Sequence, residues 1–78
     1  MKKDIQKSCE EIFVRILQLS SSEVHTASYD ASDSWDSLKH MELIMAIEDE
    51  FKIELEEDDM MKMQNFQQTT ALIKRKLD

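Results

Sequence analysis

At 78 residues the chain has room for one domain, 1–78, in which most of the sequence must contribute to a single core. Apolar residues make up 41% but aromatics only 6%, and with no glycine or proline the tight turns of β-hairpins lack their usual residues while helices run uninterrupted. A formal charge of −7 argues against nucleic acid or an anionic membrane surface as partner and favours proteins that present Lys and Arg patches, although an acidic surface also serves solubility alone.

From Asp4 to about Leu19, apolar residues fall at Ile5, Cys9, Ile12, Phe13 and Ile16, a helical spacing that gathers them on one face. Cys9 lies on that stripe, which makes it a buried structural thiol in preference to a reactive one. As the sole cysteine it cannot form an internal disulfide, and no apolar run approaches a membrane span or a signal-peptide core, so a reducing cytoplasm is the expected home. The run Ser20, Ser21, Ser22 ends this helix. Residues 23–36 show no sustained helical period and read as a long loop, with Val24 and Tyr29 able to plug into a core.

Either Asp36 or Ser37 offers the N-cap of a second long helix that reaches about Lys52. Leu55 to Met63, acidic and then rich in methionine, reads as one or two short turns. Asn65 caps a last helix through Phe66, Ile73 and Leu77, whose final turn carries Lys74, Arg75 and Lys76 against the negative end of its dipole. The fold class is therefore all-α, a small four-helix bundle of three longer helices and one short one, with a long loop between the first two.

The second long helix holds more apolar surface than a bundle needs. With Leu38 at zero and residues about 100° apart, Leu43, Ile44, Ile47 and Phe51 fill a sector from roughly 140° to 240°, enough for the core. His40 falls inside that sector at about 200°, where it reads as a capping or loop-bracing side chain rather than a catalytic one. Leu38, Met41 and Met45 form a second stripe, flanked by Glu48 on one side and by Asp49 and Glu42 on the other. Exposed methionine and leucine edged with carboxylates suit brief docking onto several partners; burial of both stripes in a broad core is the plain alternative.

Asp36-Ser37-Leu38 followed by Met41-Glu42-Leu43-Ile44-Met45-Ala46-Ile47-Glu48-Asp49-Glu50-Phe51 resembles the signature segment of acyl carrier proteins. The likeness extends more weakly over nearly the whole chain, including Ala27-Ser28-Tyr29 where the family often has an aromatic plug. It implies that a phosphopantetheinyl transferase moves 4′-phosphopantetheine from coenzyme A to the Ser37 hydroxyl, and that the arm carries acyl or aminoacyl thioesters. By the same resemblance Asp36 helps the transferase place its metal and coenzyme A. Leu38, Met41, Glu42, Met45, Glu48 and Asp49 contact the transferase, a loading ligase and downstream synthase or transferase enzymes with basic docking patches. The implied protein is a monomeric carrier and not an enzyme, with no metal of its own. On spacing alone, Ser37 is a plain N-cap.

Two features depart from many fatty-acid carriers: Asp33-Ser34-Trp35 stands where Leu-Gly-Ala is usual, and Glu56 where proline often follows the helix. They point to a specialised member, with Trp35 packing over the arm, recognising one partner, or plugging the loop into the core.

Three other readings remain. A hydrolase would pair Ser37 with His40 and Asp36, but no Gly-x-Ser-x-Gly elbow is present. An EF-hand starting at Asp30, with Ser32 and Ser34 as ligands, meets Trp35 at the sixth position and Met41 at the twelfth, against the required glycine and glutamate. An unmodified acidic helical adaptor, binding partners through the same methionine stripe, is the chief alternative.

Overall fold

The computed structural model describes residues 4–29 and 35–77. The stretch 30–34, which includes the calcium-loop residues Asp30, Ser32 and Ser34 and the departure at Asp33-Ser34, lies outside the described residues. Among the described residues five helices follow in order: α1 (Ile5–Leu17), α2 (Ser21–Val24), α3 (Ser37–Phe51), α4 (Glu57–Lys62) and α5 (Phe66–Leu77). The expected helices one and two are α1 and α3, and the short one is α4. The addition is α2. The first helix ends earlier than the serine run, at the Gln18 cap, and the run instead starts another turn: the Ser20 N–H donates to Glu23 Oε1 at 2.8 Å across the two ends of a Ser-x-x-Glu cap.

The three longer helices begin where a side chain satisfies a free N–H of the first turn. Asp4 accepts from the Lys7 N–H at 3.1 Å, Asp36 from the Lys39 N–H at 2.9 Å, and Asn65 from the Gln68 N–H at 2.8 Å. The C-terminal ends are less comfortable. Lacking glycine, the chain puts Gln18 at φ 57° and Lys52 at φ 56° in the left-handed cap positions after α1 and α3, a conformation that costs a residue with a Cβ roughly 1–2 kcal/mol.

The core is built where the periodicity puts it. Cys9, Ile12, Phe13 and Leu17 of α1 meet Leu43, Ile44, Ile47 and Phe51 of α3 and Phe66, Leu72 and Ile73 of α5. Ile5 and Ile16 are only partly covered, and Leu17 is the buried end of the α1 stripe. Phe13 is the aromatic hub: the rings of Trp35 and Phe66 lie edge-on to it at 5.2 and 5.4 Å, the geometry that the aromatic quadrupole favours. The connection after α2 is held in from both ends. Val24 and Ala27 are buried, and Ser28 pairs with Asn65 in an isolated bridge that brings the Tyr29 N–H to the Gln64 carbonyl at 2.8 Å.

Candidate functional site

The mouth of α3 settles which of two adjacent residues caps the helix. Asp36 is the N-cap: its Oδ1 takes the Lys39 N–H, and its carbonyl takes the His40 N–H at 2.8 Å. Ser37 is thereby the first helical residue, and its hydroxyl is not needed for the cap. It is exposed, at the positive end of a helix of 15 residues whose first turn carries no acidic side chain. A nucleophilic oxygen with solvent access and an anion-favouring backbone beside it is what an incoming phosphoryl group requires.

Behind Ser37 the structure builds a brace from residues that spacing alone does not join. The Trp35 indole N–H donates to His40 Nδ1 at 3.0 Å, and His40 Nε2 lies 2.9 Å from the Met60 carbonyl of α4. An indole N–H can only donate and a carbonyl can only accept, so His40 is neutral with its proton on Nε2. The expected loop-bracing role is thus observed, between one loop side chain and the α4 backbone. With both ring nitrogens engaged, His40 has no free lone pair to take a proton from Ser37, which removes the hydrolase reading. Trp35, 1% exposed, is the core plug among the roles considered for it. Tyr29 lies 4.9 Å from the His40 ring and completes the cluster.

The second stripe of α3 is open. Leu38 is 69% exposed, Met45 65% and Met41 49%, so the broad-core alternative fails. Glu42 and Asp49 are exposed beside it, Glu42 within 3.3 Å of the Lys39 ammonium in a weak surface pair. Glu48 differs from its neighbours: it is half-buried, and its Oε2 accepts the Leu55 N–H at 2.9 Å, so it braces the segment leaving α3. Met61 on α4, 68% exposed, adds a large apolar side chain that sequence periodicity did not single out.

Between Tyr29, His40 and α4 lies an open cleft of about 340 Å³, lined also by Glu57, Met60, Met61 and Gln64. The sequence offered one trace of it, the methionine-rich end of the short helix. α4 is anchored at its far side by Asp59, whose Oδ2 meets Lys76 Nζ at 2.7 Å and the Glu56 N–H at 3.0 Å. The Lys76 hydrogen bond, then that N–H, hold the Asp59 carboxyl below its ordinary range. Burial pushes the Cys9 thiol up to about 12, so it is protonated and inert as a nucleophile. Among the described residues no group of three His, Cys, Asp or Glu is placed to hold a metal ion, and no helix is long and apolar enough to cross a membrane.

A family model described as a phosphopantetheine attachment site matches residues 10–73. The chain is 35% identical over 74 residues to the acyl carrier protein of Buchnera aphidicola subsp. Schizaphis graminum, covering 94% of each chain. It is 38% identical over 73 residues to that of Nitratidesulfovibrio vulgaris, covering 92% of this chain and 96% of the relative. To that of Cyanidium caldarium it is 33% identical over 78 residues, covering 99% and 91%.

Proposed function

The chain belongs to the acyl carrier proteins, the family of the phosphopantetheine attachment site, and we propose that Ser37 is the residue to which the arm is joined. The observation that carries this assignment is the division of labour at the start of α3, where Asp36 caps and the exposed Ser37 hydroxyl is left to react. When bound, 4′-phosphopantetheine supplies a thiol that holds acyl groups as thioesters. The residues fit it: the first-turn N–H groups and helix dipole at Ser37 favour the phosphodiester. In the transfer, the Ser37 oxygen would bond to the pantetheine-side phosphorus of the coenzyme A diphosphate as its phosphoanhydride bond breaks and 3′,5′-ADP leaves, the hydroxyl proton going to a base of the transferase. Asp36 caps through Oδ1 and is exposed beside Ser37, in keeping with a part in placing the transferase's metal and coenzyme A.

The strip of Leu38, Met41 and Met45, with Glu42 and Asp49 on its rim and Glu48 at its margin, is the docking face for the transferase, the loading ligase and the downstream synthases or transferases. Thioethers adapt to differently shaped pockets, and the carboxylates steer basic partners. In this reading the protein performs no catalysis of its own. It works as a monomer in a reducing cytoplasm, where a thiol-ended arm stays free, and serves a specialised pathway.

Incubation with coenzyme A and a broad-specificity phosphopantetheinyl transferase tests the assignment by intact mass. The wild type gains one phosphopantetheine and Ser37→Ala gains none. No addition to the wild type, under conditions that modify a known carrier, would leave the unmodified adaptor in its place.

A further inference from the structure

The chain's sulfur is divided between the interior and the surface. Cys9 and Met63 are each 0% exposed, and the burial that seals the thiol also holds it protonated. Met60 is half-buried, whereas Met41, Met45 and Met61 are 49%, 65% and 68% exposed. An oxidant arriving from solvent therefore meets thioethers before it meets the thiol, and two of the three most open stand on the strip along α3.

Met41 and Met45 are four residues apart on α3, so their side chains cover one continuous piece of that strip. The core takes its contacts from the other flank of the helix, through Leu43, Ile44, Ile47 and Phe51. A change confined to these two sulfurs thus alters what a visiting enzyme touches and leaves the bundle as it was. Oxidation to the sulfoxide is such a change: it turns a flexible apolar tip into a polar, chiral one. A partner's apolar pocket would have to strip water from the new S=O group without offering it a donor, which is unfavourable. Glu42 and Asp49 on the rim are untouched by oxidant and go on steering basic partners, so encounter survives while the close fit fails.

Resting on the docking face assigned above, we propose that Met41 and Met45 form a reversible oxidation site, at which a peroxide converts thioethers to sulfoxides and so closes the docking face without unfolding the protein. In the step, a sulfur lone pair attacks one oxygen of hydrogen peroxide, the O–O bond breaks, the sulfur keeps that oxygen and the other leaves as water after proton transfer. The return step takes two electrons from a dithiol, through the methionine sulfoxide reductases, and yields thioether, water and a disulfide.

The test treats the intact protein, before any arm is attached, with hydrogen peroxide, removes the excess with catalase and locates added oxygens by peptide mass. Met41, Met45 and Met61 are expected to react on the order of 10-fold faster than Met63. The rate of phosphopantetheine transfer to Ser37 should then fall about 10-fold. The melting temperature should stay within about 2 °C of the untreated protein. Reductases for both sulfoxide epimers, supplied with a dithiol, should restore the rate. Met41→Leu combined with Met45→Leu removes the sulfurs and keeps the strip apolar; its rate, whatever the starting value, should be the same before and after peroxide, while Met61→Leu should stay sensitive. Oxidised wild type that loads as fast as untreated protein, or a double variant that slows as the wild type does, overturns the proposal and leaves the carrier reading standing. So does a melting temperature lowered by more than about 4 °C, which would trace the slowing to unfolding. Untreated protein that gains no phosphopantetheine, under conditions that modify a known carrier, overturns the carrier reading and this proposal with it.

Discussion

The two apolar flanks of α3 come from the same short stretch of sequence and have opposite fates. Leu43, Ile44, Ile47 and Phe51 are 0–6% exposed, whereas Leu38, Met41 and Met45 are 49–69% exposed. Residue type separates them as well as position: the sealed flank is branched and aromatic, with few rotamers to lose on packing, and two of the three on the open flank are flexible thioethers. An apolar residue on this helix therefore says little until its angle around the axis is known. Periodicity separated the two flanks correctly because the bundle covers only one side of α3 and leaves the other exposed.

The sharpest way to break this comparison is to cut one residue from each flank. Ile47→Ala, at 0% exposure, should destabilise the fold by about 2–5 kcal/mol in urea melts. Met45→Glu should cost less than about 0.5 kcal/mol yet slow loading by the transferase markedly. If Met45→Glu unfolds the protein, the open flank belongs to the core and the docking assignment fails.

A smaller effect is expected at the ends of α1 and α3, where the absence of glycine leaves Gln18 and Lys52 in left-handed caps. Gln18→Gly and Lys52→Gly should each raise stability by about 1 kcal/mol, a gain read as a higher melting temperature with loading unchanged. A loss of stability in either would show that its side chain does more at the cap than its backbone costs.

The smallest effect concerns acid. Asp59 is held below the ordinary carboxylate range, chiefly by Lys76, and Glu23 likewise, chiefly by the Ser20 N–H. In the window below about pH 4 the unfolded chain therefore binds protons that the folded chain at first refuses, so this part of the stability is present above the window and lost as pH falls through the folded values. For Lys76, raised chiefly by its hydrogen bond to Asp59, the contribution is full below the ordinary lysine range and fades as pH rises above it. Asp59→Asn should narrow its melting gap from the wild type between pH 7 and about pH 3. The gap should also shrink with added salt, as befits a surface pair.

What could be read in advance follows the same physics. The long helices, a cap at Asp36 or Ser37 and the α3 core sector are local, each decided by residues within one or two turns; that the cap is Asp36, and not Ser37 as spacing alone suggests, is shown by the Lys39 N–H meeting Asp36 Oδ1. α2 was missed although Ser20 and Glu23 carry a capping pattern, because four residues are too few to show a period. The Trp35–His40–Met60 chain and the turn of Glu48 toward the Leu55 N–H are tertiary choices: a partner 20 residues away in one case and seven in the other. Spacing could place His40 near the core sector but could not name what it would hold. The cleft against α4 exists only once those choices have been made.

The sealing of Cys9 has a consequence for the traffic this carrier handles. Thioesters pass readily from one sulfur to another, so a reactive thiol within reach of the arm would intercept the load and strand it on the wrong atom. With its only native sulfhydryl fully enclosed and held in the protonated form, the protein is chemically deaf to the bond it bears, and delivery is decided by the enzymes that call for it.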